Sequence, residues 1–419
     1  MKDWNKLHFE NPVVDLHTHP ALKSLLFHRN LGRKKKRWLL AALYKGDFWP
    51  FSERITFPML QKGGVDVMLS TAYILEQGWI DDIKLIKFLF WMFSGIRKKV
   101  VDPTYFDGTN MMLDEMEEQV ENYRKNLAEG DRNVSMAYSV SQLNENMDRG
   151  DISIIHSIEG AHSLHHTEAG RTFDDAIMSH PEAIEVELLN SLDHFFNRGV
   201  SYLTLAHFYP NQVVSPVFPY PDYGLSHLDW QEALGRWDMN EGLTGVGEKV
   251  VEKMLDLGML IDISHCTPTA RKQIFDIVDH HKKKSCLVST HTGAFGVNPD
   301  MYNLEDWEIK WMADRGCVAG VIFMNYWISP VDSKMGLKYL DQTISHMIKV
   351  GGEDFPAIGT DFDGFTDPPE EITNISELPR FTKYMCATNH YSDSVMKKIL
   401  GGNSMRLLKE GWKHEVTNE

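Results

Sequence analysis

The chain has 419 residues, a formal net charge of −16 at pH 7, and 42% hydrophobic and 11% aromatic residues. This length suits two domains or one α/β barrel with insertions, and the composition supports a large core and excludes a disordered chain. The negative charge argues against a nucleic-acid-binding protein, because such proteins carry a basic face.

Eight short apolar runs, most of them rich in β-branched residues, are predicted to be strands. They span residues 13–19, 65–74, 152–158, 200–206, 259–264, 286–290, 317–323 and 355–360. Nearly continuous apolar character is typical of strands that are buried on both faces of a parallel sheet. Segments with helical periodicity follow many of these strands, and they span residues 112–127, 173–196, 244–257, 268–278, 304–314, 339–350, 392–400 and 404–412. This alternation predicts an α/β fold, a (β/α)8 TIM barrel.

The connections after the first two strands are longer than ordinary connections in compact domains. Residues of about 21–64 and 73–112 are therefore predicted to be insertions that serve as lids or interfaces. The proline-rich stretch 211–240 is predicted to form a structured loop over the mouth of the barrel, and a helical segment ends the chain. Because no low-complexity linker divides the sequence, we expect a single domain over residues 1–419.

The four cysteines are widely spaced and form no Cys-x-x-Cys pair. This spacing argues against a disulfide framework or a cysteine-rich zinc site, and we expect a reducing, cytoplasmic location. The sequence opens without the apolar segment of a signal peptide, and its most apolar window, residues 86–96, is too short to span a bilayer. The basic run 33–37 is expected to be a solvated loop or helix face.

Residue types that bind metal ions stand at six of the eight predicted strand ends, where TIM barrels place their catalytic groups. They are His17 and His19, Glu159, His207, His265, His291 and Asp361. Each of these alone is more often a hydrogen-bonded core residue or a turn residue. Their coincidence at strand ends is not expected by chance, and the two histidines of the first strand point the same way because alternate strand residues share a face.

Neutral imidazoles and carboxylates suit Zn²⁺ and similar divalent ions. The set contains more ligands than one tetrahedral ion needs, so it predicts two zinc ions bridged by a carboxylate and a hydroxide. Such ions lower the pKa of bound water and polarise a carbonyl group, while Asp361 would accept the proton of the water and pass it to a leaving amine. The residues therefore predict a metal-dependent hydrolase.

Three motifs indicate a family. They are Tyr-Leu-Thr-Leu-Ala-His at 202–207, the segment 242–265 that ends in Asp-Ile-Ser-His, and Gly-Thr-Asp-Phe-Asp-Gly at 359–364. In these motifs, and in Gly-Gly-Asn at 401–403, the sequence resembles the membrane (renal) dipeptidase family of zinc peptidases, within the amidohydrolase-like metal-dependent TIM barrels. The resemblance runs through nearly the whole chain.

This resemblance implies an enzyme that hydrolyses dipeptides with a free amine and a free carboxylate. It also implies a role for each residue of the set. Glu159 would bridge two zinc ions, His17 and the residue two beyond it would hold one ion, His265 and His291 would hold the other, His207 would contact the substrate, and Asp361 would shuttle the proton.

The sequence departs from the family at two positions. The family has His-x-Asp on the first strand, whereas this chain has His17-Thr18-His19, which leaves the site one negative charge poorer. After the histidine of the sixth strand the family carries an Arg-Asn pair that grips the substrate carboxylate, and here Tyr302-Asn303 stands in that place. An arginine fork is the natural partner of a carboxylate, and this chain has Tyr302 where the family has that arginine. Tyr302 and Asn303 are predicted to contact the substrate, whose identity is open.

Two alternatives to a dipeptidase therefore remain. The same chemistry could act on another small amide, an acyl-amino acid or a lactone, or the barrel could be catalytically silent and serve binding or assembly. The expected partner is a dipeptide or another small molecule, with no nucleic acid and no membrane span. The resemblance and the tryptophan-rich insertions also make a homodimer an expectation.

Overall fold

The computed structural model describes residues 3–33, 52–76, 78, 98–99, 103–166, 181–218, 237–283, 287–330, 336–364, 367–388 and 390–416. Its sheet has nine parallel strands. In chain order they are β1 (Val14–Thr18), β2 (Val67–Ala72), β3 (Val134–Met136), β4 (Ile152–Glu159), β5 (Tyr202–Thr204), β6 (Leu260–Asp262), β7 (Leu287–Thr292), β8 (Val318–Val321) and β9 (Pro356–Ile358).

Eight of these strands form the barrel in the order β1-β2-β4-β5-β6-β7-β8-β9. A parallel bridge between Thr18 and Phe362, beyond the end of β9, brings the last strand back to the first. The predicted (β/α)8 barrel is therefore confirmed, and each of its strands overlaps one of the eight apolar runs. All described residues of these runs that lie within the strands are buried, as expected for strands covered on both faces.

The ninth strand, β3, is an addition that the sequence did not indicate. Val134 to Met136 pair with the first residues of β4, on the edge that β5 occupies farther along the strand. Three residues that include Ser135 are too few and too polar to give the apolar run by which the other strands were recognised.

Helices surround the barrel and follow most of the strands. The described α-helices span Trp4–Phe9, Pro20–Phe27, Phe57–Gly63, Tyr105–Lys125, Val140–Arg149, Pro181–Asn197, Gly245–Leu257, Pro268–His280, Asp306–Ala313, Asn325–Ile328, Leu337–Gly351, Pro379–Thr388, Asp393–Lys397 and Asn403–Gly411. Two 3₁₀ turns, Ala161–Leu164 and Ile375–Glu377, and a π turn, Lys398–Gly402, complete the order. Each of the eight predicted helical segments overlaps one of these helices, although the bounds differ by one or more residues at most ends.

Local sequence signals set the helix ends. Thr267 caps the helix that follows it, because its side chain accepts a hydrogen bond from the amide of Ala270 and Pro268 takes the first helical position. Thr104 caps the helix that begins at Tyr105, several residues before the apolar periodicity suggested. Gly258 ends its helix in the left-handed conformation, which costs a glycine little.

The predicted insertions are described only in part. The helices Pro20–Phe27 and Phe57–Gly63 lie in the first, and the start of Tyr105–Lys125 lies in the second. Residues 34–37 of the basic run and Cys286 fall outside the described residues. Within the described part of the chain, no helix combines the length and the apolar character needed to cross a membrane.

Candidate metal centre

The barrel brings all seven residues from the predicted strand ends together at its carboxyl-terminal mouth. They are His17, His19, Glu159, His207, His265, His291 and Asp361, and each is at most 8% exposed. Burial of this many titratable groups is costly unless they pair or bind metal ions.

Glu159, the last residue of β4, lies at the middle of the cluster. Its Oε1 atom is 3.3–3.4 Å from the Nε2 atoms of His17, His265 and His291. Its Oε2 atom is 3.2 Å from Nε2 of His19 and 3.6 Å from Nε2 of His207. Although it is buried, Oε1 accepts no hydrogen bond from any described residue. A carboxylate oxygen that faces several imidazole nitrogens without a hydrogen bond fits a position next to a cation.

Four of the histidines form two close pairs beside this carboxylate. The Nε2 atoms of His17 and His19 are 3.0 Å apart, and so are those of His265 and His291. Two nitrogen ligands of one tetrahedral zinc ion lie about 3.3 Å apart, so each pair has the spacing of ligands to a shared ion. Asp361 joins the first pair, with Oδ1 at 3.3 Å from Nε2 of His19. Three overlapping groups within the described chain bring their ligand atoms within 4.8 Å of one another, and these groups are His17–Glu159–His291, His17–His19–Asp361 and Glu159–His207–His265.

The electrostatics of the cluster also fit a cation. Burial, with the neighbouring His291, lowers the pKa of His17 to about 3, and burial lowers the pKa of His265 to about 4. Although burial alone would raise it, the adjacent His207 and His17 hold the pKa of Glu159 well below its usual range. His17 and His265 are therefore neutral imidazoles beside an ionised carboxylate, which are the protonation states that metal ligands need.

Although burial alone would lower it, the Glu159 carboxylate raises the pKa of His291, and the shift of His19 has the same direction. Burial alone would lower the pKa of His19, but the facing carboxylates of Asp361 and Glu159 raise it to about 10. Without a metal ion, a protonated His19 supplies the positive charge between these carboxylates. A divalent ion would take over that role and release the proton, since metal binding requires a neutral imidazole.

Hydrogen bonds to the outer ring nitrogens orient two of the ligands. Thr290 Oγ1 lies 2.9 Å from Nδ1 of His291 and 3.1 Å from Nδ1 of His17, and it donates its single proton to Asp262 at 2.5 Å. The hydroxyl of Tyr202, 2.8 Å from Nδ1 of His17, donates to the carbonyl of Leu16. Both hydroxyls can therefore only accept from the imidazoles, which leaves the Nε2 lone pairs directed at the centre.

Asp361 lies on a turn that buried contacts fix in place. Its backbone has a positive φ of 56°, and Asp363 two residues later has 66°. The carboxylate of Asp363 pairs with the buried Lys23 at 2.9 Å and accepts the backbone amide of Ile55 at 3.1 Å. Asp15, whose pKa burial raises to about 7, accepts the amide and the hydroxyl of Thr360 just before this turn.

Glu76 is a residue of the site that the sequence analysis missed. It follows β2, and its Oε2 atom lies 2.8 Å from Nδ1 of His207. Burial alone would raise the pKa of Glu76, but the adjacent His207 holds it below its usual value. Its carboxylate type and its position four residues beyond β2 are the signals in the sequence that point to it.

Tyr302 and Asn303, the predicted substrate contacts, lie beside the His265–His291 pair. The Tyr302 hydroxyl donates to the backbone carbonyl of His291 at 2.6 Å, and its ring stacks on Trp327 with centroids 3.7 Å apart. Both amide hydrogens of Asn303 are donated to backbone carbonyls, those of Asn298 and Trp327. These polar groups are thus committed to the protein itself, and a role in substrate binding stays a prediction.

A buried arginine, Arg271, holds the loop that carries Tyr302 and Asn303. Arg271 is buried, pairs with Glu308 at 2.7 Å, and donates to the backbone carbonyls of Met301 and Asn303 on either side of Tyr302. It is committed to these protein groups, so it fixes the loop that carries Tyr302.

The fold and the cluster define a class: a (β/α)8 barrel with a carboxylate-bridged histidine centre at its mouth. A sequence profile described as membrane dipeptidase (peptidase family M19) matches residues 182–418, more than half of the chain. The chain therefore belongs to the membrane dipeptidase family, peptidase family M19.

Two curated proteins are among its relatives. An uncharacterized protein in the pqqA 5′ region of Klebsiella pneumoniae is 34% identical over 181 residues, which are 42% of this chain and 64% of that protein. Dipeptidase tcpJ of Claviceps purpurea is 24% identical over 221 residues, 52% of this chain and 46% of that protein. The match thus spans less than two thirds of the length of either relative.

Solved structures share the fold over nearly the whole chain. A metallo peptidase from Rhodobacter sphaeroides, crystallised with a phosphinate mimic of the dipeptide L-Ala-D-Ala, has a TM-score of 0.68 at 19% identity and covers 96% of this chain and 99% of its own. The probable dipeptidase PvdM from Pseudomonas aeruginosa has a TM-score of 0.68 at 18% identity and covers 97% of both chains. At these identities the likeness establishes the architecture alone.

Proposed function

We propose that the protein is a metal-dependent hydrolase that cleaves the amide bond of dipeptides or similar small amides, with two zinc ions held at the mouth of the barrel. The observation that carries this proposal is the position of Glu159, whose carboxylate contacts both close histidine pairs: Oε1 lies 3.3 Å from Nε2 of His291, and Oε2 lies 3.2 Å from Nε2 of His19. Family membership and the dipeptidase named among the relatives support the same activity.

In the proposed reaction, water adds to the amide carbonyl, the C–N bond breaks, and the proton lost by the water reaches the departing amine. The two ions, when bound, would acidify the water and polarise the carbonyl group. Asp361 is the proposed carrier of the proton, because its Oδ1 atom lies within 3.9 Å of both histidines of the first pair and its side chain is 9% exposed at the mouth. His207 faces the same space through Nε2 and is the proposed contact for the substrate oxygen.

Metal analysis and one variant test this proposal. The purified protein is expected to contain about two divalent ions per chain and to hydrolyse at least one member of a panel of dipeptides. His265→Ala is expected to lower both the metal content and the rate. A protein that binds no divalent ion, together with an active His265→Ala variant, would refute the proposal.

A second candidate is hydrolysis of a small amide or lactone that has no free carboxylate. The contacts of Tyr302 favour it, because the hydroxyl is bound to a backbone carbonyl and the ring is stacked on Trp327, so this position offers no charge to a substrate carboxylate. Dipeptides and their C-terminal amides, compared side by side, separate the two candidates. Activity confined to the amides would favour the second. A catalytically silent barrel would show metal binding, or none, without turnover of either set.

The remaining expectations stay predictions. The single-domain organisation, the cytoplasmic location and the homodimer follow from the sequence arguments given above.

A further inference from the structure

The carboxylate of Glu76 joins two loops at the barrel mouth through four hydrogen bonds. Oε1 accepts the backbone amides of Phe208 and Tyr209, at 3.1 and 2.9 Å. Oε2 accepts the hydroxyl of Tyr73 at 3.0 Å and Nδ1 of His207 at 2.8 Å. Glu76 is 3% exposed, so these four donors take the place of its water shell.

This arrangement defines which nitrogen of His207 is available to the site. An ionised carboxylate can only accept, so the Nδ1 atom of His207 must carry the proton of their contact. The other ring nitrogen, Nε2, then points to the centre and lies 3.6 Å from Oε2 of Glu159. The ring is also packed between Tyr73, with centroids 4.3 Å apart, and Phe208, with centroids 4.2 Å apart.

We propose that Glu76 is a positioning residue of the reaction: it fixes a proton on Nδ1 of His207 and holds the ring so that Nε2 is the atom presented to the substrate and the metal centre. The effect of Glu76 on catalysis rests on the proposed function, whereas its effect on the proton of His207 does not. Pairing of a carboxylate with the outer nitrogen of a site histidine is a general means of setting tautomer and orientation.

Glutamine is an informative replacement because it keeps the size and changes the hydrogen-bonding pattern. Its single carbonyl oxygen can serve the amides of Phe208 and Tyr209, but its NH₂ group then faces His207. A donor at this position favours an unprotonated Nδ1 and moves the ring proton to Nε2, the reverse of the arrangement with Glu76.

Kinetics test the catalytic part. Glu76→Gln is expected to lower kcat by about 10- to 100-fold with KM within about threefold and with unchanged metal content. In the background of His207→Gln, the further change Glu76→Gln is expected to have almost no effect, because Glu76 acts through His207. Equal losses in both backgrounds, or a wild-type kcat for Glu76→Gln, would overturn the proposal. Glu117→Gln, which changes another carboxylate that contacts a histidine away from the site, is the matched control and should retain the wild-type kcat.

Nuclear magnetic resonance tests the proton directly and needs neither turnover nor a folded Glu76 variant. In protein labelled with ¹⁵N-histidine, the His207 signals are assigned by their loss in His207→Gln. Nδ1 of His207 is expected to carry a proton, and an unprotonated Nδ1 would overturn the proposal even if the enzyme is active. If no amide is hydrolysed by the wild type, the proposed function fails, while this measurement still decides the assignment of Glu76.

Discussion

The two faces of β4 each place an imidazole against a carboxylate, with different results. On the outer face, Nε2 of His156 contacts Oε1 of Glu117 at 3.0 Å, and Arg198 binds the same carboxylate. On the inner face, Glu159 meets five imidazoles and no arginine or lysine among the described residues. The outer carboxylate is paired with an arginine as well as an imidazole, whereas the inner one faces five imidazoles, which can serve as ligands of a cation. The same residue types thus form a structural pair on one face and a candidate metal centre on the other. The number of imidazoles around the carboxylate distinguishes the two.

The largest effect is expected when the inner carboxylate, that of Glu159, is neutralised. Glu159→Gln removes the charge shared by the two histidine pairs, so bound metal should fall below the wild-type content. Because changes to residues behind metal ligands cost about 10- to 100-fold, loss of the bridging residue should lower the rate more than about 100-fold. Metal analysis and steady-state kinetics measure both effects. A variant with full metal content and wild-type turnover would show that Glu159 is not the bridge.

A second prediction concerns Lys23 and Asp363, the ion pair behind the turn of Asp361. Both side chains are at most 3% exposed, so Lys23→Met leaves a buried carboxylate without its partner. The free energy of unfolding should fall by about 3–5 kcal/mol, measured by urea denaturation. The double variant Lys23→Met/Asp363→Asn removes the charge as well and should regain part of the loss. A single variant as stable as the wild type would contradict the structural role.

The outer pair of β4 should affect stability without affecting chemistry. Glu117→Gln weakens the contacts with His156 and Arg198, and we expect the free energy of unfolding to fall by about 1–2 kcal/mol. Rate and metal content should equal those of the wild type, in contrast to Glu159→Gln. Loss of metal from Glu117→Gln would show that the two faces of β4 are coupled.

The smallest expected effect is the pH dependence of the difference in unfolding free energy between the wild type and Glu117→Gln. Burial alone would raise the pKa of Glu117, but His156 and Arg198 lower it to about 2 from an ordinary value of 4.5. A group with a depressed folded-state pKa stabilises the fold above its unfolded-state value, and this stability is lost as the pH falls through the folded-state value. The wild type and Glu117→Gln should thus differ fully at pH 7 and progressively less below about 4.5. A difference that grows on acidification would contradict the assignment.

Sequence patterns were sufficient for the barrel because each of its strands is an apolar run with few interruptions. The position of β3 was not predictable in this way, since its pairing with β4 depends on tertiary packing and not on its own composition. The helix after Thr104 begins earlier than its apolar pattern predicted, because this capping residue lies before the first apolar position.

The candidate site was predictable to the extent that its residues stand directly at strand ends. Glu76 lies four residues beyond β2, and its contact with His207 arises from the path of the connecting loop, which periodicity does not reveal. The contacts of Tyr302 and Asn303 likewise depend on a loop that buried Arg271 holds through its backbone carbonyls. The sequence therefore does not predict which hydrogen bonds these three side chains make, because the contacts depend on the path of the loops.

The left-handed backbone at His265, with a φ of 65°, has a consequence for the history of such chains. This conformation costs an ordinary residue about 1–2 kcal/mol that glycine would not incur, and asparagine tolerates it well. A lineage that no longer needed the metal centre would gain stability by drifting to glycine or asparagine at this position. Histidine at this position accepts a conformational cost that accompanies a side chain whose Nε2 atom lies 3.4 Å from the Glu159 carboxylate.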